Sequence, residues 1–533
     1  MGFPVQASML PVLLSLALLG HVRAMSTPGL RPLPKNPLLF QINTRVRIDE
    51  LTKAAGRQAT LDDFPEAELE ALAAQGYDFA YFLGVWQTGE YGMKKSIKLL
   101  DLEPCMKGLP REAACSSPFA VIDYSVHSDF GGDQALQRLK ERCHKYGLRL
   151  MVDLVPNHMA VDHPWTSSDP NLLIQGNEPC IGGSPQNFFR KDGKIFAHGK
   201  DMYYDGWEDT VQINYGHPRA REEMCKVLCK MASLSDGVRC DMAMLLCEDI
   251  LEKTWNDRLN PWDGTPRARG EFWPPTIQAA KKVNPGFTFV AECYWDREYQ
   301  LHTFGFDFAY DKTLYDRLKE LDVGKVRGHL MADLGYQSKL VRFLENHDEE
   351  RAADSWKETS MHMAAAVISF TIPGMHFIHD GQQEGRVKRI SMHVNCRQKL
   401  EHDVKDKNIA GKYAALIKAH GCKAIHDVGS DWRGCTTTPS QDGNPSHERM
   451  VAHVNWKDQE AALTVVNFCG DYSNGHVILP AKHFGYLRGK KVKLTDMLSD
   501  CVIEKPGDVL LGEHGGLWFN LKPWQSHLFQ VSF

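Results

Sequence analysis

Three acidic side chains in this sequence are placed where a folded chain could use them for chemistry. They are Asp241, Glu292 and Asp348, at the ends of the segments 236–241, 287–292 and 340–348. Each segment begins as an apolar run typical of a buried strand, and the C-terminal ends of parallel barrel strands carry catalytic residues. Several carboxyl groups in one cleft are the requirement for breaking a glycosidic bond. The first hypothesis is therefore a sugar-processing barrel enzyme.

Strand-like and helix-like segments alternate along the part of the chain that must position these carboxylates, which indicates an α/β protein with a parallel sheet. Helical patterns cover 61–75, 133–146 and 218–233. Strand patterns cover 38–46, 79–86, 148–155, 236–241, 287–292, 304–309, 340–345 and 374–379. Eight strands form a closed (β/α)8 TIM barrel, so this is the fold class that we predict.

The remaining segments complete the domain organisation. Residues 159–215 follow the third strand and are rich in Gly, Pro, Asn, Asp and aromatic residues without a sustained period, which indicates an insertion over the barrel mouth. From about residue 447, short runs between Gly, Asn, Asp and Pro predict a C-terminal antiparallel β-sandwich. We therefore assign residues 33–446 to the barrel and residues 447–533 to the sandwich.

The N-terminal segment 1–24 predicts a cleaved signal peptide. Residues 9–20 form an uncharged apolar run of 12 residues, followed by Val22 and Ala24 at positions that a signal peptidase accepts. Such a run is too short to span a bilayer. Secretion is the expectation, and a cytoplasmic form that starts at Met25 is the alternative.

Composition restricts the partners. The net charge of -5 shows no basic excess, so a nucleic-acid partner is not expected. After the N-terminal segment, no run reaches 18 consecutive apolar residues, so no membrane span is expected either. A small-molecule or oligosaccharide substrate is compatible with this balance, and the oligomeric state is left open.

The 14 cysteines are too sparse for a disulfide scaffold. Cys240 and Cys293 adjoin two of the carboxylates, and strand alternation directs them outward as buried free thiols. Cys105 and Cys115 flank a short loop and are the best disulfide pair that the sequence offers. The spacing of the cysteines predicts no metal site.

Four motifs follow one another along the chain, and each lies at the end of a predicted strand. They are Met-Val-Asp-Leu-Val-Pro-Asn-His (151–158), Gly-Val-Arg-Cys-Asp (237–241), Val-Ala-Glu-Cys-Tyr-Trp (290–295) and Phe-Leu-Glu-Asn-His-Asp (343–348). Together they resemble the four conserved blocks of the α-amylase superfamily of glycoside hydrolases (family 13-like). The resemblance covers roughly residues 37–390, and it implies a retaining α-glycosidase that acts on α-glucosides or α-glucans.

The resemblance assigns roles to the three carboxylates. Asp241 would be the nucleophile, Glu292 the general acid and base, and Asp348 would hold two hydroxyls of the sugar being cleaved. Arg239 would orient Asp241 and keep it ionised. Two carboxyls about 5.5 Å apart repel by roughly 3 kcal/mol at an effective dielectric near 20, about two pKa units. With Arg239 beside Asp241, this penalty should fall mainly on Glu292, which would stay protonated near neutral pH.

Further residues would bind the substrate. By resemblance, His158 and His347 would hydrogen-bond sugar hydroxyls, and Phe119 would stack on the ring. No organic or redox cofactor is implied; calcium is the alternative, with Asn157 either its ligand or a loop hydrogen-bonder. Three aromatic residues are compatible with sugar stacking or with plugging the barrel top: Trp86, Tyr294 and Trp295.

One departure leaves the substrate open. After the nucleophile, α-amylases usually carry a Lys-His pair on the leaving-group and calcium side, whereas this chain has Met244 and Leu245. A transglycosidase or isomerase with the same triad is one alternative function. A non-catalytic amylase-like binding protein is another, although the chain retains Asp241, Glu292 and Asp348.

Overall fold

The computed structural model describes residues 30–397 and 403–533, and its centre is a closed barrel of eight parallel strands. The strands are β1 (Leu38–Asn43), β2 (Phe79–Leu83), β3 (Arg149–Leu154), β4 (Gly237–Cys240), β5 (Thr288–Ala291), β6 (Phe308–Tyr310), β7 (Leu340–Arg342) and β8 (Met375–His379). They lie in sequence order around the barrel, and β8 pairs with β1 to close it. The predicted (β/α)8 fold class is confirmed.

Strand ends differ from the prediction where a local turn intervenes. The first strand was expected to reach residue 46, but Asn43 ends it, because the Asn43 side chain accepts a hydrogen bond from the Val46 backbone N–H and caps the next helix. The second strand ends at Leu83, ahead of Gly84, whose φ of +78° favours glycine. A Cβ at Gly84 would lie 2.6 Å from Pro118 Cβ, so this turn also requires a close approach of two segments.

The longer helices connect the strands and cover the barrel. They are α1 (Thr44–Ala55), α2 (Glu66–Gln75), α3 (Glu90–Leu99), α4 (Gly132–Lys145), α5 (Pro218–Leu234), α6 (Glu248–Trp255), α7 (Trp273–Val283), α8 (Glu298–Phe304), α9 (Lys312–Lys319), α10 (Val323–His329), α11 (Thr359–Thr371) and α12 (Ile409–His420). The predicted helices 133–146 and 218–233 lie within one residue of α4 and α5. The predicted helix 61–75 is divided by Pro65 into a short 3-10 turn and α2, because proline disfavours helical backbone in the residue before it.

The insertion after β3 is a compact layer of short elements. His158–Ala160 pairs with Thr210–Gln212, and Phe188–Lys191 forms a hairpin with Lys194–Ala197. Short helices at Trp165–Ser168 and Glu178–Gly183 complete it. The insertion therefore begins at the end of a barrel strand and returns to the same place before α5.

The C-terminal part forms two antiparallel sheets. Its strands are β9 (Asp431–Gly434), β10 (Thr436–Pro439), β11 (Met450–Lys457), β12 (Glu460–Asn467), β13 (Ser473–Ile478), β14 (Lys491–Asp496), β15 (Val502–Pro506), β16 (Leu517–Leu521) and β17 (Ser526–Ser532). One sheet has the order β9-β11-β12-β17-β14-β15 and the other β10-β13-β16. Buried residues of both sheets, such as Leu463 and Phe519, share one core. These sheets already include β9 and β10, ahead of the boundary expected at residue 447.

Two sequence expectations concern the cysteines and the N-terminus. All fourteen cysteines are free, so the expected Cys105–Cys115 bridge is wrong: Cys105 is exposed, whereas Cys115 is buried. Cys240 and Cys293 are buried free thiols, as predicted. The expected signal peptide 1–24 lies outside the described residues. Among the residues that the structure describes, no helix has the length and apolar character needed to cross a bilayer.

Candidate active site

Asp241 and Glu292 directly follow two neighbouring barrel strands, β4 and β5. The Asp241 backbone N–H donates to the Leu154 carbonyl and that of Glu292 to the Cys240 carbonyl, so the strand pairing extends to both residues. Asp241 is 8% and Glu292 2% exposed. Both carboxyls are therefore held by the rigid end of the barrel rather than by a free loop.

Arg239 connects these two carboxylates. Its Nη1 donates to Asp241 Oδ1 at 2.6 Å, and its Nη2 forms an ion pair with Glu292 Oε2 at 2.8 Å. Arg239 and Asp241 are two residues apart on a strand, so both point into the barrel, where the guanidinium is fully buried. A planar guanidinium with two ion-pair partners holds both carboxylates beside one reaction space.

Glu292 has two further hydrogen-bond donors. Its Oε2 accepts from the Met242 backbone N–H at 2.7 Å, and its Oε1 accepts from the Tyr294 hydroxyl at 3.1 Å. Met242 has a φ of +43°, a conformation that costs free energy in a non-glycine residue. This turn directs the backbone N–H of the residue after Asp241 onto the Glu292 carboxyl.

The environment separates the protonation states of the carboxyls. Burial raises the pKa of Glu292 to about 7, against the attraction of Arg239 and with the help of the Asp241 and Asp348 charges. Burial also raises the pKa of Asp241, but the adjacent Arg239 opposes this directly. Glu292 is therefore about half protonated at neutral pH and more fully protonated below it, while Arg239 favours the ionised form of Asp241, which is the direction of the split that retention requires.

The pKa of Asp348 is shifted in the opposite direction, downward. Its side chain is 48% exposed toward the barrel mouth. The surrounding protein raises its pKa, but the His347 imidazole and then Arg239 outweigh this effect and lower the pKa to about 2. His347 Nε2 lies 2.9 Å from Asp348 Oδ2. Asp348 is therefore an anion at any physiological pH.

A buried chain of side chains holds His347. His379 Nδ1 lies 2.7 Å from Gln41 Oε1, and Gln41 Nε2 lies 3.3 Å from His347 Nδ1. In this arrangement the Gln41 amide nitrogen donates to His347 Nδ1, and His347 Nε2 faces Asp348. Gln41 and His379 come from β1 and β8, the two strands that close the barrel.

Phe119 and His158 lie beside this group. The Phe119 ring stacks on His347 with centroids 5.2 Å apart, and Arg239 Cζ lies 5.5 Å from the Phe119 centroid. His158 packs against Trp207 at 5.1 Å, and burial lowers the pKa of its imidazole to about 4, so it is neutral. The structure thus brings all seven expected site residues to the barrel mouth, although their individual roles stay predictions.

Two residues of the 151–158 motif have structural contacts. The buried Asp153 accepts hydrogen bonds from the Tyr81 hydroxyl and, at 2.7 Å, from the Gly84 backbone N–H. Asn157 Oδ1 accepts from Gln212 Nε2 at 3.0 Å, which fits the loop hydrogen-bonding interpretation. Within the described residues, no group of three or more His, Cys, Asp or Glu side chains is arranged to hold a metal ion.

Sequence reasoning missed Gln41, His379 and Trp207. Gln41 and His379 had a usable signal, since each is a polar residue close to the C-terminal end of a buried barrel strand. Trp207 had none, because the insertion shows no pattern that tells its inward side chains from its outward ones.

The structure is a (β/α)8 barrel with a carboxylate cluster at its C-terminal face, which is where barrel enzymes carry their active sites. Residues 119–415, more than half of the chain, match the family described as alpha amylase, catalytic domain. The protein therefore belongs to the alpha-amylase family.

Individual relatives agree with this family. "Alpha-amylase MalA" of Haloarcula japonica is 24% identical over 356 residues, 65% of this chain and 46% of the relative. "Alpha-glucosidase" of Candida albicans is 46% identical over 373 residues, 57% of this chain and 61% of the relative. The chain thus spans about half the length of the curated relatives it matches. The crystal structure of an alpha-amylase from Lactobacillus plantarum superposes with a TM-score of 0.62 at 17% sequence identity. The superposition covers 93% of this chain and 99% of the Lactobacillus chain, so the two proteins share the fold.

Proposed function

We propose that this protein is a retaining α-glycosidase that cleaves α-glucosides or α-glucans through a covalent glycosyl-enzyme. The observation that carries the proposal is the position of Arg239 between Asp241 and Glu292, and the raised pKa of Glu292, about 7, supports it. A retaining pair needs its two carboxyls close together, about 5–5.5 Å apart, and the shared contact with Arg239 brings the Asp241 and Glu292 carboxyls to one place. The related amylases and glucosidases support the same class of substrate.

The first step transfers the glycosyl group to the protein. Glu292 donates its proton to the glycosidic oxygen, and an Asp241 carboxylate oxygen attacks the anomeric carbon as the bond to the leaving sugar breaks. Arg239 keeps Asp241 ionised without taking its proton, because the guanidinium stays charged. The leaving sugar departs with a neutral hydroxyl.

The second step reverses the roles. Glu292, now ionised, takes a proton from water, and the resulting hydroxyl attacks the anomeric carbon to release Asp241. Asp348 accepts hydrogen bonds from the sugar hydroxyls, and His158 and His347 can bind further hydroxyls. Phe119 offers the sugar a ring face already fixed by its stacking on His347.

The test has two parts. Purified protein is incubated with maltose, maltooligosaccharides, trehalose, sucrose and glycogen, with and without a calcium chelator, and the products are identified by mass spectrometry. Glucose or shorter oligomers support the hydrolase, whereas longer or rearranged sugars indicate a transglycosidase or isomerase with the same intermediate.

The second part traps the intermediate with an activated fluoroglycoside and locates the label by peptide mass mapping. A label on Asp241, lost in the Asp241→Asn variant, supports the proposal. A label on another residue refutes the assignment of the nucleophile. No label together with no turnover favours a non-catalytic binding protein.

A further inference from the structure

Residues 199–207, which we call the tyrosine loop, form a pinned loop in the insertion. The Trp207 backbone N–H donates to the Gly199 carbonyl at 2.8 Å, and the Gly199 backbone N–H donates to Thr210 Oγ1 at 2.9 Å. At the tip, the buried Asp201 carboxylate accepts from the backbone N–H groups of Tyr203 and Tyr204 at 2.7 and 2.8 Å. The loop conformation is therefore fixed before any ligand binds.

The base of the tyrosine loop lies on the candidate site. A Cβ at Gly199 would be 2.6 Å from His158 Cβ, so only glycine allows the backbone to approach this closely. Trp207, at the other end of the base, packs against the His158 ring. His158 begins the segment that follows β3, so the base of the loop is anchored above the end of that strand.

The tip of the tyrosine loop reaches the segment after β5. Tyr203 contacts Trp295 edge to face, with ring centroids 5.1 Å apart, yet 66% of Tyr203 is exposed. Trp295 follows Glu292 by three residues, with a left-handed φ of +63°. Because β4 pairs with β3 and with β5, a loop from His158 to Trp295 crosses above the end of β4, where Asp241 lies.

We propose that Tyr203 and Trp295 bind the sugar on the leaving-group side of the site, so that the protein prefers α-linked oligosaccharides to glucosides with a small leaving group. This inference rests on the proposed function, because Glu292 must face the glycosidic oxygen that it protonates. The leaving sugar then lies beside the segment that follows Glu292, where Trp295 is held in a costly backbone conformation.

The chemistry of the two rings fits a sugar. The C–H faces of a pyranose pack on aromatic rings, and tyrosine and tryptophan combine an apolar ring with a polar group that can bind a hydroxyl. Met244 and Leu245, which follow the nucleophile, are apolar and buried, so they offer a sugar no hydrogen bond. The aromatic pair therefore provides the recognition on this side.

The experiment compares two substrates with different leaving groups. Tyr203→Ala should lower kcat/KM for maltotriose by roughly tenfold, the effect expected for loss of one well-packed aromatic contact, and leave kcat/KM for α-glucosyl fluoride unchanged, since fluoride does not reach the pair. Tyr203→Phe should restore the activity toward maltotriose. Tyr472→Ala, which removes a tyrosine of similar exposure (60%) from the C-terminal part, should change neither substrate.

Equal losses with both substrates, or no loss with maltotriose, would overturn the inference. A binding arm separates this failure from that of the proposed function: maltotriose affinity is measured by calorimetry on Glu292→Gln, with and without Tyr203→Ala. If the wild-type protein turns over neither substrate, the proposed function fails. The binding measurement then still decides whether Tyr203 contacts the sugar. Roughly tenfold weaker binding in the double variant supports the aromatic site, and unchanged or absent binding refutes it.

Discussion

Replacing Asp241 with Asn keeps the shape of the side chain and removes its charge. If Asp241 is the nucleophile, no glycosyl-enzyme can form, and we expect kcat/KM to fall at least about 1,000-fold, roughly 4 kcal/mol of lost transition-state stabilisation. The assay is initial-rate kinetics with maltotriose and α-glucosyl fluoride on matched preparations.

The substitution should also change the pKa of Glu292. The Asp241 charge raises that pKa, and at a separation of about 5.5 Å with an effective dielectric near 20, the repulsion is about 3 kcal/mol, or about two pKa units. The Glu292 pKa should therefore fall from about 7 by up to roughly two units in Asp241→Asn. A ¹³C NMR titration of labelled glutamate carboxyls would measure it.

Thermal stability distinguishes this functional aspartate from a structural one. Folding raises the pKa of Asp241, so its ionised form destabilises the protein at neutral pH, and removing the charge should leave Tm unchanged or higher. In Asp241→Asn, Arg239 keeps its ion pair with Glu292. The matched control is Asp236→Asn, because Asp236 lies directly before the same strand, β4. Its Oδ2 accepts a hydrogen bond from the Leu150 backbone N–H at 2.8 Å and lies 2.8 Å from His144 Nε2.

We expect Asp236→Asn to lose about 1–3 kcal/mol of stability and to keep its activity per folded molecule. The reasoning is refuted if Asp241→Asn lowers Tm as much as the control does, or if it retains more than a few per cent of wild-type activity.

Three further predictions follow from the same geometry. The kcat/KM profile should decline as pH rises through about 7, where Glu292 loses the proton it must donate, and as pH falls toward the raised pKa of Asp241; a rate that still climbs at pH 9 contradicts this assignment. Asp153→Asn should destabilise the protein by about 1–3 kcal/mol in calorimetry, because the Tyr81 hydroxyl and the Gly84 N–H donate to different oxygens of Asp153 and Asn has only one acceptor oxygen; an unchanged Tm would contradict its structural role. Alkylation of the denatured protein without reductant should label all fourteen cysteines, and a shortfall of two would indicate a bridge.

The strand count was predictable because buried parallel strands are apolar runs with breaks at both ends, a pattern that β2 shows clearly. The strand ends were less predictable, because they depend on single hydrogen bonds and turns. Asn43 ends β1 by capping a helix, and the turn at Gly84 follows the end of β2. The proposed Cys105–Cys115 bridge failed for a related reason, since spacing does not reveal that one thiol is buried and the other exposed.

The candidate site, too, was predictable from the sequence only in part. Asp241 and Glu292 directly follow their strands, so the periodicity that identifies β4 and β5 also locates these two carboxylates, whereas Asp348 lies further along the loop after Arg342 ends β7. The contact between Gln41 and His379 joins residues 338 positions apart, and only closure of the barrel brings them together. Local patterns carry no information on such a pair, although each residue by itself is a polar residue in a buried barrel strand.

Residues positioned by the barrel and residues positioned by the tyrosine loop have different consequences for function. Barrel geometry fixes Arg239 between its two carboxylates, so the chemistry depends on residues whose positions the fold determines. The loop depends instead on Asp201 and on the close approach of Gly199 to His158, and neither affects the positions of the carboxylates. Changes at Tyr203 can therefore alter which leaving group is accepted without altering how the bond is broken. Substrate preference in this protein should thus be adjustable separately from catalysis, by substitutions confined to one loop.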